Sequence, residues 1–167
     1  MSEEAMVGTA HVYGDNIDTD RIIPGKYTKT LSEQDLAEHA MEDLDPEFRA
    51  RVRPGDFVVG GENFGCGSSR EQAPRALKAC GVSAVVARSF ARIFYRNAIN
   101  IGLPVIELPG HCIEAGCQLR VDARSGTVQV VGTPTRYTAT PLPDVMMAIL
   151  AAGGLVAYLK KTGDYDV

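Results

Sequence analysis

Nine consecutive residues, Asn63-Phe64-Gly65-Cys66-Gly67-Ser68-Ser69-Arg70-Glu71, gather an unusual amount of chemistry into one stretch of this 167-residue chain. Small or flexible residues lead into two hydroxyls, a permanently charged guanidinium and a carboxylate. Glycines let backbone N–H groups turn toward one point, and Arg70 supplies a planar fork suited to a carboxylate or phosphate. The chemistry this implies is anion binding with hydroxyls within reach.

The flanking segments must position that stretch. Asp56-Phe57-Val58-Val59-Gly60-Gly61 reads as a buried strand and Gln72–Cys80 as a helix. A Gly-rich turn from strand to helix aims backbone donors and a helix N-terminus at one spot, which favours anions. Pro74 is tolerated only within the first helical turn, so the helix cannot begin much before Arg70. This favours a loop position for Ser68 and Ser69, with their hydroxyls facing a ligand. In the competing reading the two serines cap the helix.

Further along, Val82–Ala87 reads as a second buried strand. A helix over 88–102 follows, capped by Ser89, stopped by Gly102 and carrying an apolar stripe of Ile93, Ala98 and Ile101. Leu103–Leu108 reads as a third strand. Strands alternating with helices imply parallel pairing with right-handed crossovers. Upstream, Ala10–Tyr13 suggests a short strand. Residues 14–20 hold Asp15, Asp18 and Asp20 in a turn-rich run that lacks the remaining EF-hand ligands, so it reads as an Asx-type turn. Residues 26–31 read as a loop. Ser32 caps a helix over 33–43 with Leu36 and Ala40 inward and His39 at the boundary, and Asp45 caps a second short helix ending near Val52. Downstream, 118–122 and 127–131 alternate with period two around a turn, which marks a hairpin. Helical segments at 144–152 and 155–161 are separated by Gly153-Gly154.

Composition narrows the function. Lys and Arg number 17 against 21 Asp and Glu, a net charge of −4, so a general nucleic-acid footprint is not indicated. No apolar run reaches membrane-spanning length, and Met1–Ala5 lacks the apolar core of a signal peptide, so the expected compartment is the cytoplasm. Length points to one domain over residues 1–167. Cysteines at 66, 80, 112 and 117 form no CxxC pair, so free thiols are expected, three of them buried, and no metal site in this chain.

Three ordered motifs match one family. Gly14–Pro24, Asn63–Glu71 and Ala87–Asn97 (Ala-Arg-Ser-Phe-Ala-Arg-Ile-Phe-Tyr-Arg-Asn) resemble the small-subunit family of 3-isopropylmalate dehydratase, the free-standing form of the aconitase swivel domain. The resemblance spans about residues 7–162. It implies an α/β fold: a three-layer, swivelling β/β/α domain with a mostly parallel central sheet and a C-terminal hairpin. It also implies a hydro-lyase that isomerises a hydroxy-dicarboxylate by dehydration and rehydration.

Carried over residue by residue, the resemblance makes Ser68 the catalytic base. Ser69, Arg70 and Asp20 become substrate-binding residues, and Lys26, Tyr27, Thr28, Lys29 and Thr30 a specificity loop. The cofactor it implies is a [4Fe-4S] cluster carried by a large partner subunit, in a heterodimer or heterotetramer, with none on this chain. The expected substrate is 2-isopropylmalate. Lys29, where many such chains have an apolar or neutral residue, keeps homoaconitate open, and dimethylmalate or citramalate-type acids stay open too. A non-catalytic anion-binding module is the alternative of a different class. In the isolated chain the 26–34 segment is expected to be mobile.

Overall fold

The computed structural model describes residues 5–27, 29 and 32–163. In chain order the elements are β1 (Met6–Val12), α1 (Thr19–Ile22), a 3-10 turn (Gly25–Tyr27), α2 (Glu33–His39), α3 (Phe48–Arg51), β2 (Phe57–Gly60) and α4 (Gln72–Ala79). Then come β3 (Ala84–Ala87), α5 (Arg92–Asn100), β4 (Val105–Glu107), β5 (Gln118–Asp122), β6 (Thr127–Val130), β7 (Arg136–Thr138), α6 (Asp144–Ala152) and α7 (Leu155–Thr162).

One sheet joins the strands in the order β4-β3-β2-β1-β5-β6-β7. The run from β4 to β1 is parallel, and β5, β6 and β7 add antiparallel ladders. β1 divides its pairing: Met6–Thr9 lie against β5, while Ala10–Val12 lie against β2. β1 therefore starts four residues earlier than the sequence pattern suggests, because Gly8 and Thr9 carry little apolar signal. β7 has no apolar pattern of its own and was not expected from the sequence.

Side-chain alternation sorts the core into layers. Val58, Val85 and Val105 face the helices and pack with Leu36, Leu77, Phe94, Ile99, Leu150 and Tyr158. Phe57, Val59, Ala84, Val86 and Ile106 point the other way, onto Leu119, Val121 and Val128 of the antiparallel strands. The sheet curls so that its antiparallel half covers the second face of its parallel half. This gives the β/β/α layering, with the near-continuous apolar strands that a doubly covered parallel sheet requires.

Several boundaries move for physical reasons. α2 ends at His39, because Met41 takes a positive φ of 63° and its N–H bonds the Ile22 carbonyl at 2.7 Å. Glu47, not Asp45, is the N-cap position of α3; the Asp45 carboxylate accepts from the Glu47 N–H at 3.3 Å and from Tyr13 Oη at 2.7 Å, and it pairs with Arg51. α5 starts at Arg92, because Phe90 bridges to Phe64 and Ser89 is engaged there too. Its buried residues are Phe94, Ala98 and Ile99, whereas Ile93 is exposed and Ile101 half-buried. Of the four free cysteines only Cys80 is buried, since Cys66 and Cys117 lie at the boundary and Cys112 on the surface.

A buried polar knot pins β1 to the start of β2. Asp56 accepts from His11 Nε2 at 2.8 Å, the Thr9 N–H at 3.0 Å and the Arg53 N–H at 2.9 Å. Burial penalises its charge, yet these three bonds outweigh that penalty and hold the carboxyl below the usual range. Asp56→Asn is expected to cost about 2–4 kcal/mol at neutral pH. A depressed folded pKa gives stability that is present above the unfolded value of about 3.9 and lost as pH falls through the folded one. Urea unfolding at pH 7 and pH 3 checks this: the gap between wild type and variant should narrow in acid.

Candidate active site

β1 and β2 end side by side, and their chains stay zipped beyond the strands. The Tyr13 N–H bonds the Val59 carbonyl at 2.8 Å, Gly61 N–H bonds Gly14 at 3.0 Å, and Asn16 N–H bonds Glu62 at 2.8 Å. Gly65 N–H bonds Ile17 at 2.7 Å, and Thr19 N–H bonds Cys66 at 2.9 Å. Side chains reinforce the seam, with Asp15 Oδ1 accepting from the Glu62 N–H at 2.7 Å and Asn63 Nδ2 donating to Asn16 Oδ1 at 3.2 Å. Segments 14–20 and 61–67, far apart in sequence, thus form one platform at the C-terminal end of β2. This is where parallel sheets place ligands.

The third motif buttresses that platform from below. Phe64 N–H bonds the Ser89 carbonyl at 3.0 Å, and Ala91 N–H bonds the Phe64 carbonyl at 2.9 Å. Ser89 Oγ accepts from the Asn63 N–H and donates to Glu62, each at 2.7 Å. Phe64 meets Phe94 edge-on with centroids 5.3 Å apart and Phe90 at 6.1 Å. Such aromatic pairs contribute about 0.5–1.5 kcal/mol each beyond their buried area. Gly65 sits directly on Phe94, where a Cβ would lie 2.2 Å from the ring, and its φ is +84°.

The candidate residues gather above this base. Ser68 is exposed, and its Oγ lies 3.1 Å from Thr19 Oγ1. Ser69 is exposed too, and its carbonyl accepts from Asn97 Nδ2 of α5 at 3.4 Å. α4 begins at Gln72 without a side-chain cap, so neither serine caps it. Arg70 pairs with Asp20, which brings the first two motifs together through charge. The side chains are 25% and 65% exposed, so the pair is open to solvent and readily exchanged for another carboxylate. Gly25 makes room beside it, since a Cβ there would lie 3.1 Å from Arg70 Nη2 and 3.4 Å from Asp20 Oδ1. Asp18 is a helix cap that accepts from the Arg21 N–H at 2.9 Å.

Of the 26–34 segment, Lys26 and Tyr27 complete the 3-10 turn, Ser32 caps α2 through the Asp35 N–H, and Glu33 and Gln34 are helical. Lys26 Nζ lies 5.2 Å from the Tyr27 ring centroid, and that ring stacks on His39 at 3.8 Å. His39 Nδ1 meets Glu42 at 2.7 Å. Partial burial raises the Glu42 carboxyl, but hydrogen bonds from His39 and Tyr27 bring it below the ordinary range. Lys29 is exposed in a turn, and Thr28 and Thr30 lie outside the described residues.

Two residues at the platform were not singled out by sequence reasoning. Thr19 stands immediately before Asp20, and only that adjacency hints at it. His111 is buried, with Nε2–H donating to the Gly60 carbonyl at 2.8 Å and Nδ1 accepting from the Ile113 N–H at 3.2 Å. Arg88 holds the His111 carbonyl with two donors, at 2.7 and 3.0 Å. Burial keeps the His111 ring neutral by lowering its pKa, which suits this tautomer. Among the described residues no group of three His, Cys, Asp or Glu side chains is placed to hold a metal ion.

Comparison with known proteins places the chain among relatives along most of its length. Residues 5–111 match the family described as the aconitase C-terminal domain. The chain is 56% identical over 158 residues to 3-isopropylmalate dehydratase small subunit 1 of Methanopyrus kandleri, covering 93% of each chain. It is 54% identical over 155 residues to the methanogen homoaconitase small subunit of Methanothermobacter thermautotrophicus, covering 93% of this chain and 91% of that one. Among solved structures, 3-isopropylmalate dehydratase (leuD) of Methanocaldococcus jannaschii superposes with a TM-score of 0.91 at 46% identity, covering 95% of both chains.

The contact between Gly65 and Phe94 makes a direct test of the platform. Gly65→Ala is expected to destabilise the chain by about 2–4 kcal/mol, through strain at positive φ and collision with the ring. Phe94→Gly removes both the ring and the Phe94 Cβ, which would lie 2.3 Å from the new methyl, so the double variant should lose less than the sum of the two single losses. Urea unfolding of all four proteins measures the coupling.

Proposed function

The chain belongs to the aconitase C-terminal domain family, and we propose on that premise that it is the small subunit of a hydro-lyase interconverting 2-isopropylmalate and 3-isopropylmalate, a step of leucine biosynthesis. One observation carries the reading: loops from two neighbouring parallel strands meet at two adjacent points, Ser68 against Thr19 and Arg70 against Asp20, with Ser69 between them in the chain.

Each residue has a distinct task. Ser68 is the base: as the alkoxide it takes the proton beside a substrate carboxylate. The C–H electron pair becomes the double bond as hydroxide leaves the adjacent carbon, and rehydration in the opposite sense completes the isomerisation. A hydroxyl is a poor base unless fixed donors or a cation stabilise its alkoxide. Arg70 and the glycine-rich turn supply that environment. Ser69 and Arg70 hold a substrate carboxylate, and Asp20 orients Arg70 until substrate arrives. Lys26, Tyr27, Thr28, Lys29 and Thr30 form the segment that selects the substrate's remaining group.

The other half of the site comes from a large partner subunit, which in this family's scheme carries a [4Fe-4S] cluster. When bound there, the cluster supplies a Lewis acid for the departing hydroxyl. A second substrate, homoaconitate, is supported by one observation: Lys29 is an exposed cation in the selectivity segment, a charge that would pair with an additional carboxylate.

The chain alone is expected to be inactive and to turn over isopropylmalate when reconstituted anaerobically with its large subunit. Ser68→Ala should then lower kcat by about a thousandfold with little change in KM. Near-normal turnover in that variant would exclude Ser68 as the base. Rates on isopropylmalate, homoaconitate and dimethylmalate separate the substrates. Lys29→Leu should depress homoaconitate turnover far more than isopropylmalate turnover.

A further inference from the structure

Thr19 is an almost wholly buried polar side chain of the site, at 2% exposure. Its backbone is held on both sides, the N–H by the Cys66 carbonyl at 2.9 Å and the carbonyl by the Ile23 N–H at 2.9 Å. Asp18 caps the same short helix, and a β-branched side chain is stiff about χ1. The hydroxyl therefore has a fixed direction, and it points at Ser68 Oγ, 3.1 Å away.

We propose that Thr19 is a positioning residue that donates its hydroxyl proton to Ser68 and stabilises the Ser68 alkoxide. The inference rests on the reading of Ser68 as the base. Between two neutral hydroxyls either oxygen can donate. Once Ser68 is an alkoxide it has no proton to give, so the contact must run from Thr19 Oγ1–H to Ser68 O⁻. A hydrogen bond to a charged oxygen is shorter and about twice as strong as a neutral one, more so where the donor is shielded from water. Thr19 thus favours the deprotonated form selectively and lowers the pKa at which Ser68 becomes a base. When Ser68 has taken the substrate proton, the same contact holds it in place for the return step.

The test uses the reconstituted pair of subunits and compares wild type with Ser68→Ala, Thr19→Val, Thr19→Cys and Thr19→Ser. Thr19→Val keeps the shape and removes the donor. It should lower kcat by about ten- to a hundredfold with KM within a factor of two. The alkaline rise of kcat should move to higher pH, because Ser68 loses part of what stabilises its anion. A purely structural role would scale the profile without moving it. Thr19→Ser should restore the wild-type limb, and Thr19→Cys, a weak donor of similar volume, should fall between and stand in if the valine variant fails to fold. If the wild-type pair turns over, Ser68→Ala does not, and Thr19→Val keeps the wild-type rate and pH limb, the inference about Thr19 is overturned while the base stands. If Ser68→Ala remains active, the base assignment falls and the role of Thr19 falls with it.

Discussion

Everything at the site depends on parallel pairing that continues past the ends of two strands. β1 and β2 stop forming a regular ladder at Val12 and Val59, yet five backbone hydrogen bonds carry the register on from Tyr13 to Thr19. Irregular backbone near the interior must find partners for its N–H and C=O groups. Here each loop is the other's partner. That reciprocity fixes the distance between Thr19 or Asp20 on one loop and Ser68 or Arg70 on the other. It needs no side chain of its own, which leaves hydroxyls, guanidinium and carboxylate available for a ligand.

The zipper is held from two directions by different forces. Beneath it, Phe64, Phe90 and Phe94 interlock, and Gly65 lies close enough to Phe94 that no side chain fits between them. At its start, the neutral His111 ring ties the Gly60 carbonyl to the loop after β4. Protonation of His111 would cost the Ile113 N–H its acceptor, and burial opposes that protonation. Hydrophobic packing sets the height of the platform, and polar bonds set its lateral register. Motion is left to the charged groups above, where Asp20 and Arg70 are partly exposed.

Much of this was legible in the sequence because the relevant signals are local. The parallel strands read as short apolar runs, and Pro74 bounded the start of α4, which left Ser68 and Ser69 in a loop. Ser32 and the Gly153-Gly154 break are likewise signals of one residue type at one position. What was not legible depends on partners distant in sequence. Ser89 has the chemistry of a helix cap, but its hydroxyl is taken by the Asn63 N–H and by Glu62, and the cap falls two residues later, at Ala91. Ile93 fits an apolar stripe on paper and lies exposed, because Phe94 must face Phe64 and the helix rotates to allow it. Thr19 and His111 act through contacts 49 and 51 residues away along the chain. No pattern of spacing marks such residues.

The exposure of the charged groups bears on why such a site needs a second surface. An ion pair open to water, such as Asp20 with Arg70, is worth about 0–1 kcal/mol. The same guanidinium facing a carboxylate in a covered site interacts several times more strongly, as water leaves and the effective dielectric falls. An alkoxide at Ser68 is likewise untenable while its outer side faces bulk solvent, however well Thr19 supports its inner side. The chain therefore builds geometry in advance and leaves the electrostatic environment unfinished. In the function we propose, docking of a partner over Ser68, Ser69 and Arg70 would complete it by excluding water, and the weak Asp20–Arg70 pair would let a substrate carboxylate displace Asp20 at little cost. A tighter pair would make the isolated chain more stable at that point and the assembled site slower to accept its acid.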